Sequence, residues 1–254
     1  NLTGGNIIIQ SLEQLRLEGG LVSTAGGHGG AVTMQAGQFV LDNARVAANG
    51  VEGGGKIAIE ATDSVVLRNS HVALDVSGSN PIPIPAPGGE VTIQANRVVM
   101  NDAGINARGT AADGGTVVIN GNETVRLDGS RIETGSDPAG GNISIHAGDS
   151  VRLLNGTVLA TDAGGNAGNI VIDGGGNVVV DASRLSAEAR RGEAGHIQVS
   201  AGDAVRFLNG TVVSANNLRQ GPAGQIVVDA GGNVLVDGSL VTAEPIEGQP
   251  GQIH

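Results

Sequence analysis

The chain has 254 residues, with 44 Gly, no Cys, Trp or Tyr, only two Phe and a formal net charge of −11. Without Cys there is no disulfide and no metal-thiolate site, and the acidic balance argues against nucleic acid or an anionic membrane as partner. No run of 18 apolar residues occurs, so no segment reads as a membrane-spanning helix.

From the first residues onward, a Gly-rich turn leads into a short apolar segment, and this happens ten times. The junctions are Gly5-Asn6-Ile7, Gly30-Ala31-Val32, Gly55-Lys56-Ile57, Gly89-Glu90-Val91, Gly115-Thr116-Val117, Gly141-Asn142-Ile143, Gly168-Asn169-Ile170, Gly195-His196-Ile197, Gly224-Gln225-Ile226 and Gly251-Gln252-Ile253. The apolar residues are spaced by 25, 25, 34, 26, 26, 27, 27, 29 and 27. A period of this length marks a solenoid. Within each repeat three short pieces alternate apolar and variable residues, as strands with one buried face do; in the sixth they are Ile143-Ser144-Ile145, Val151-Arg152-Leu153 and Thr157-Val158-Leu159-Ala160. Helical periodicity is absent, and Gly is too frequent for it.

The corners between these pieces differ in tolerance. From the last apolar residue of the second piece to the first of the third the spacing is five in all nine repeats, as in Leu41 to Val46, Leu67 to Val72, Leu153 to Val158 and Phe207 to Val212. From the first piece to the end of the second it is nine or ten, whereas from the third to the next repeat it varies from 10 to 19. The spacing predicts three-sided coils with two tight corners and a third that projects into solvent. The second inward position of the third piece is expected to be small, with Thr24, Ala48, Ala107, Thr134, Ala160, Ala187, Ser214 and Ala243 in that column and Leu74 as its exception. The expected fold is therefore an all-β parallel β-helix, one domain over residues 1–254, of about nine three-stranded coils of 25–29 residues. The general preference of parallel crossovers makes it right-handed.

In the third repeat the segment Ser79-Asn80-Pro81-Ile82-Pro83-Ile84-Pro85-Ala86-Pro87 lengthens the third corner. Alternating Pro reads as an extended loop that cannot join a ladder. Residues 79–87, with Pro81, Ile82, Pro83, Ile84, Pro85 and Pro87, are thus a candidate partner-docking loop, set against a tolerated surface insertion. Further along, Arg126, Arg152 and Arg206, with Arg16, form an outward column on the second face that could bind surface glycans, or serve to pair with carboxylates and discourage aggregation. Val40, Val66 and Val99 interrupt it. Arg45, Arg131 and Arg184 form a similar column on the third face, interrupted by His71 and Gly104. The valines, with Val179, Leu235, Ile8, Val118, Val171 and Val227, suggest a half-apolar exterior for lateral self-association.

Catalysis is not expected. The acids recur mainly in turns, as at Asp63, Asp149, Asp203 and Asp237, and the five His are scattered without metal spacing. With no Trp or Tyr, a sugar-stacking platform is also missing. The segment Gly174-Gly175-Gly176-Asn177-Val178-Val179-Val180-Asp181 does not iterate every nine residues as a calcium-loaded roll requires. No catalytic, cofactor or metal residue is therefore expected; a polysaccharide-degrading or polysaccharide-binding β-helix enzyme would instead reveal itself by a groove gathering two or more carboxylates with a basic residue.

The phrases Gly140-Gly141-Asn142-Ile143-Ser144-Ile145, Ala147-Gly148-Asp149-Ser150-Val151-Arg152-Leu153, Leu154-Asn155-Gly156-Thr157-Val158 and Gly164-Gly165-Asn166-Ala167-Gly168-Asn169-Ile170 resemble the repeats of filamentous-haemagglutinin-like exoproteins of the cyanobacterial type. The resemblance covers essentially the whole chain and is a fold signature without catalytic residues. It implies a right-handed parallel β-helix, export through an outer-membrane transporter by two-partner secretion, and a place in the medium or on the bacterial cell surface as an adhesin or scaffold contacting glycans or neighbouring cells. The chain opens on a first strand and stops at the start of another, and neither end carries an amphipathic cap or an export signal. The expectation is a segment of a longer repeat protein whose signal lies elsewhere, or a subunit that stacks end to end into an extracellular filament.

Overall fold

A computed structural model of the chain describes residues 3–75 and 85–254. Among these residues there is no helix, and parallel strands stack as a β-solenoid of about nine turns. The first strands of successive coils begin at Asn6, Ala31, Lys56, Glu90, Thr116, Asn142, Ile170, His196 and Gln225. Their register carries Ile7 onto Val32, then Ile57, Val91, Val117, Ile143, Ile170, Ile197, Ile226 and Ile253. From Val32 to Ile226 this column is buried, as expected of β-branched residues meeting their own kind above and below.

Strands are less separate than the three-piece reading holds. Ala31–Asp42, Lys56–Asp75, Glu90–Asn106 and Thr116–Asp128 each pass a corner without leaving the ladder. A register shift absorbs the bend, as between Ala36 and Gln38.

The corner after the second strand is not always five residues long. In every coil it holds a residue with positive φ, such as Asn43, Asp102, Gly129 or Ala182. Coils six and eight hold two in succession, Asn155-Gly156 and Asn209-Gly210. The added residue makes Leu159 and Val213, rather than Val158 and Val212, the partners of Ile132 and Leu185. In coil three the register jumps from Ser70↔Ala103 to Leu74↔Ile105, so Leu74 rather than Val72 aligns with Val46. Leu74 is thus not the exception in the small column. Among the described residues that column consists of Thr24, Ala48, Ala107, Thr134, Thr161, Ala187, Ala215 and Ala243, with Thr161 and Ala215 in place of Ala160 and Ser214.

Small residues are needed there because the coil closes on them. The N–H groups of Gly55, Gly115, Gly141, Gly168, Gly195, Gly224 and Gly251 donate to the carbonyls of Ala48, Ala107, Thr134, Thr161, Ala187, Ala215 and Ala243, at 2.6–3.1 Å. The threonines of this column carry hydroxyls that the interior does not need. Thr134 Oγ1 and Thr161 Oγ1 are buried without a partner among the described residues. Thr161→Val, which keeps the shape and removes the hydroxyl, is expected to raise stability by about 1 kcal/mol in urea unfolding.

The corners also carry polar ladders that explain the recurrent turn acids and amides. Asn69, Asn155 and Asn209 each donate Nδ2 to the Asp one coil earlier, Asp42, Asp128 and Asp181, at 2.7–2.9 Å. The hydroxyls of Ser130, Thr157 and Thr211 accept the N–H groups of Ala103, Ser130 and Ser183. The Arg126 guanidinium and the Asn155 amide hold the Asp128 carboxyl below the usual aspartate range.

Candidate functional site

At the third corner the chain leaves the ladder by a longer path. After the stacked third strands Arg131–Glu133, Val158–Ala160, Arg184–Ser186 and Val212–Ser214, it runs outward before returning to the next first strand. Its outward leg is aligned by the bridges Ser136↔Ala163 and Ala163↔Ala189 and then by a separate parallel pair, Ala189–Arg191 with Asn217–Gln220. Between the angle of this leg and the third face lies a groove of about 680 Å³ that runs from Arg108 to Leu218.

Asp137 lines the groove, and three further acids from consecutive coils meet here: Glu133, Asp162 and Glu188. Each is held by donors of the fold. Glu133 accepts from Arg131 Nε at 2.6 Å and from Arg108 Nη1 at 3.4 Å. Asp162 Oδ1 accepts from Ser186 Oγ at 2.6 Å and from the Glu188 N–H at 2.8 Å. Glu188 Oε1 accepts from Arg184 Nη2 at 2.9 Å and from Ser214 Oγ. Asn216 repeats the Asp162 arrangement two coils on, taking Thr242 Oγ1 and the Glu244 N–H. An acid or amide at this place therefore caps the following coil, and the carboxylates are both groove lining and corner chemistry.

The far end of the groove is basic. Arg190, together with Asp137 and Gly164, continues into a second recess of about 370 Å³ that adds Gly165, Arg191 and Arg219. The pairing runs Ala189↔Asn217 and then Arg191↔Gln220, so Leu218 and Arg219 together stand against Arg190. A bulge of this kind re-aims side chains at an edge. It is fastened by the buried Asn217, whose Nδ2 donates to the Gly192 carbonyl at 2.6 Å and whose Oδ1 accepts the Arg219 N–H at 3.1 Å. Arg190, Arg191 and Arg219 are exposed, and none has an ion-pair or hydrogen-bond partner for its side chain among the described residues. Most other cations do: Arg16 with Glu18, Lys56 with Glu90, Arg97 with Asp63, Arg126 with Asp128 and Arg184 with Glu188.

Of the residues singled out from sequence, Arg131 lines the groove, and the Pro-rich segment and the second-face arginines lie elsewhere. Pro81, Ile82, Pro83 and Ile84 fall outside the described residues. Pro85 and Pro87 are exposed, but Ala86 between them is buried and exchanges both backbone hydrogen bonds with Thr110, antiparallel, at 2.8 and 2.7 Å. The reading that this segment cannot pair is therefore corrected at Ala86, which keeps the N–H that Pro85 and Pro87 lack. Because Thr110 lines the groove, the returning end of the Pro-rich segment lies beside it. On the second face Arg126 and Arg152 are neighbours in the ladder, while Val179 separates Arg152 from Arg206. The apolar exterior is patchy: Val40 is buried, Val66, Val99 and Val179 are half-buried, and Ile8 and Leu235 are exposed.

The groove escapes a reading by repeat because its residues occupy the indel-rich leg, where no constant spacing relates one coil to the next. One signal was available, the Arg190-Arg191 doublet in an acidic chain. His28 sits 3.4 Å from Glu52 and His146 2.9 Å from Asp173, and no group of three metal-binding side chains occurs among the described residues. Compared with family models, with curated proteins and with solved structures, the chain gives no match.

Proposed function

We propose that this chain is part of the shaft of a secreted or surface-displayed bacterial adhesin or filamentous exoprotein, exported through an outer-membrane transporter. The observation that carries the reading is the first-face column from Ile7 to Ile253, which keeps one register through every coil. About nine coils at about 4.8 Å each make a stiff rod about 43 Å long, with nearly all insertion confined to one edge. Such a rod holds surfaces away from a cell and repeats them, so that many weak contacts act together.

The test is made in the organism that produces the protein. Protease added to intact cells is expected to remove it, and exchanging coils two and three, which contribute nothing to the groove, for a flexible Gly-Ser linker is expected to lower adhesion several-fold. A protein protected inside the cell, or adhesion unchanged by the linker, would overturn the proposal.

A second reading, a polysaccharide-processing enzyme, draws support from the gathering of Glu133, Asp162 and Glu188 with Arg108, Arg131 and Arg190 in one groove. An acid–base pair needs carboxyl groups free to exchange protons with the substrate. Glu133, Asp162 and Glu188 are engaged by arginines, hydroxyls and a backbone N–H, so Asp137, the fourth acid of the groove, has no second free carboxyl to work with, which favours binding over cleavage. Release of new reducing ends from a polysaccharide by the purified protein would reverse that order.

A further inference from the structure

We infer that the third-edge groove binds a carboxylated polysaccharide, with Arg190, Arg191 and Arg219 engaging uronate carboxylates. This deepens the adhesin reading and rests on it for its biological meaning.

Charge distribution carries the argument first. In a chain of net charge −11, three guanidinium groups without partners converge on two adjacent coils and line one recess in which Asp137 is the only acid. Arginines that served only to balance the corner acids would pair with them, as Arg131 does with Glu133 and Arg184 with Glu188. These three instead occupy an outward leg held in shape by a buried amide, Asn217. A planar guanidinium presents two parallel donors that match a carboxylate.

The rest of the groove fits the remainder of a sugar. Asp162 takes both of its donors on Oδ1, and a carboxylate offers about four lone-pair sites, so it can accept a sugar hydroxyl as well. From Arg108 in coil four to Arg219 in coil eight the groove spans four coil spacings, about 19 Å. A linear pyranose chain laid along the rod advances by a similar length per sugar, so ligand and coils repeat nearly in step.

The same features disfavour nucleic acid. Phe39 and Phe207 are both buried, which leaves no ring for base stacking.

The experiment measures retention of the whole chain on polygalacturonate, on fully methyl-esterified polygalacturonate and on single-stranded DNA, each at rising salt. Wild-type protein is expected to bind polygalacturonate at least tenfold more tightly than the ester or DNA, and to be released by salt. The combined variant Arg190→Gln, Arg191→Gln, Arg219→Gln is expected to lose at least tenfold. Arg152→Gln with Arg206→Gln, which removes two unpaired cations from the second face, is expected to change binding less than twofold. Circular dichroism checks the fold of each, and Lys at positions 190, 191 and 219, which keeps the charge without the fork, is expected to fall between wild type and the Gln variant. The inference is overturned by absence of binding to polygalacturonate, equal binding to the ester or to DNA, or an unchanged triple variant. None of these outcomes bears on surface exposure or on the linker exchange, so the shaft proposal stands or falls separately.

Discussion

Gly168→Ala is expected to lower the stability of the solenoid by about 3 kcal/mol or more, the upper end of what overpacking costs, and to do so at a position whose φ is ordinary. The reason is distance between coils. A Cβ built on Gly168 would overlap the carbonyl oxygen of Gly141 one coil below, and the same holds for Gly195 over Gly168, Gly141 over Gly115 and Gly224 over Gly195. The obstacle is backbone rather than the end of a flexible side chain, so relief requires the coils to part. Parting them would stretch the Gly168 N–H bond to the Thr161 carbonyl and the ladder that starts at Ile170. Gly20→Ala is the control: its new Cβ would meet nothing closer than the Glu18 carbonyl oxygen at 3.8 Å, and a shift within about 0.5 kcal/mol is expected. Urea unfolding of both variants decides the matter. A Gly168→Ala protein as stable as wild type would mean that coil spacing relaxes freely, and the stiffness assumed for a shaft would go with it.

That glycine is also the reason the fold could be read from sequence. Close approach at each coil junction demands Gly before the first strand, and the buried face demands Ile or Val after it, so the ladder from Ile7 to Ile253 is written as ten Gly-x-apolar junctions. Counting residues fails where the chain adds a residue without adding a place in the ladder. Asn155-Gly156 and Asn209-Gly210 do this by turning through two positive-φ residues, and coil three does it by a jump between Ser70 and Leu74. The groove was less legible still. Glu133, Asp162 and Glu188 come together because their coils stack, yet each sits on or just before the leg whose length changes from repeat to repeat. Hydrogen bonds between successive legs, such as Ser186 Oγ to Asp162, set which residues meet, and the varying length of the legs hides them from a count along the sequence. The pairing of Ala189–Arg191 with Asn217–Gln220 was invisible for the same reason: a bulge separates its two registers.

Phe207→Ala is expected to cost about 3–5 kcal/mol, the range for removing a fully buried ring from a core that cannot collapse around the space. The ring occupies the last inward position of the second strand, between Val180 below and Val236 above. Phe39 occupies the first inward position in coil two, between Leu15 and Val65, so the two rings belong to different columns and cannot replace each other. Both are flanked by smaller aliphatic residues, which leaves the cavity bounded by ladders on either side and hard to fill. Because each coil touches chiefly its neighbours, the damage should stay local. Hydrogen exchange is expected to speed first at Val205–Leu208 and the adjoining Val178–Asp181, while Thr116–Asp128 three coils away keeps its protection. Uniform loss of protection along the chain would instead make the rod one cooperative unit. The two outcomes matter for a shaft under load: a rod that fails coil by coil can lose the coils around Arg206 and Arg219 while the rest stays folded, whereas a single unit fails everywhere at once.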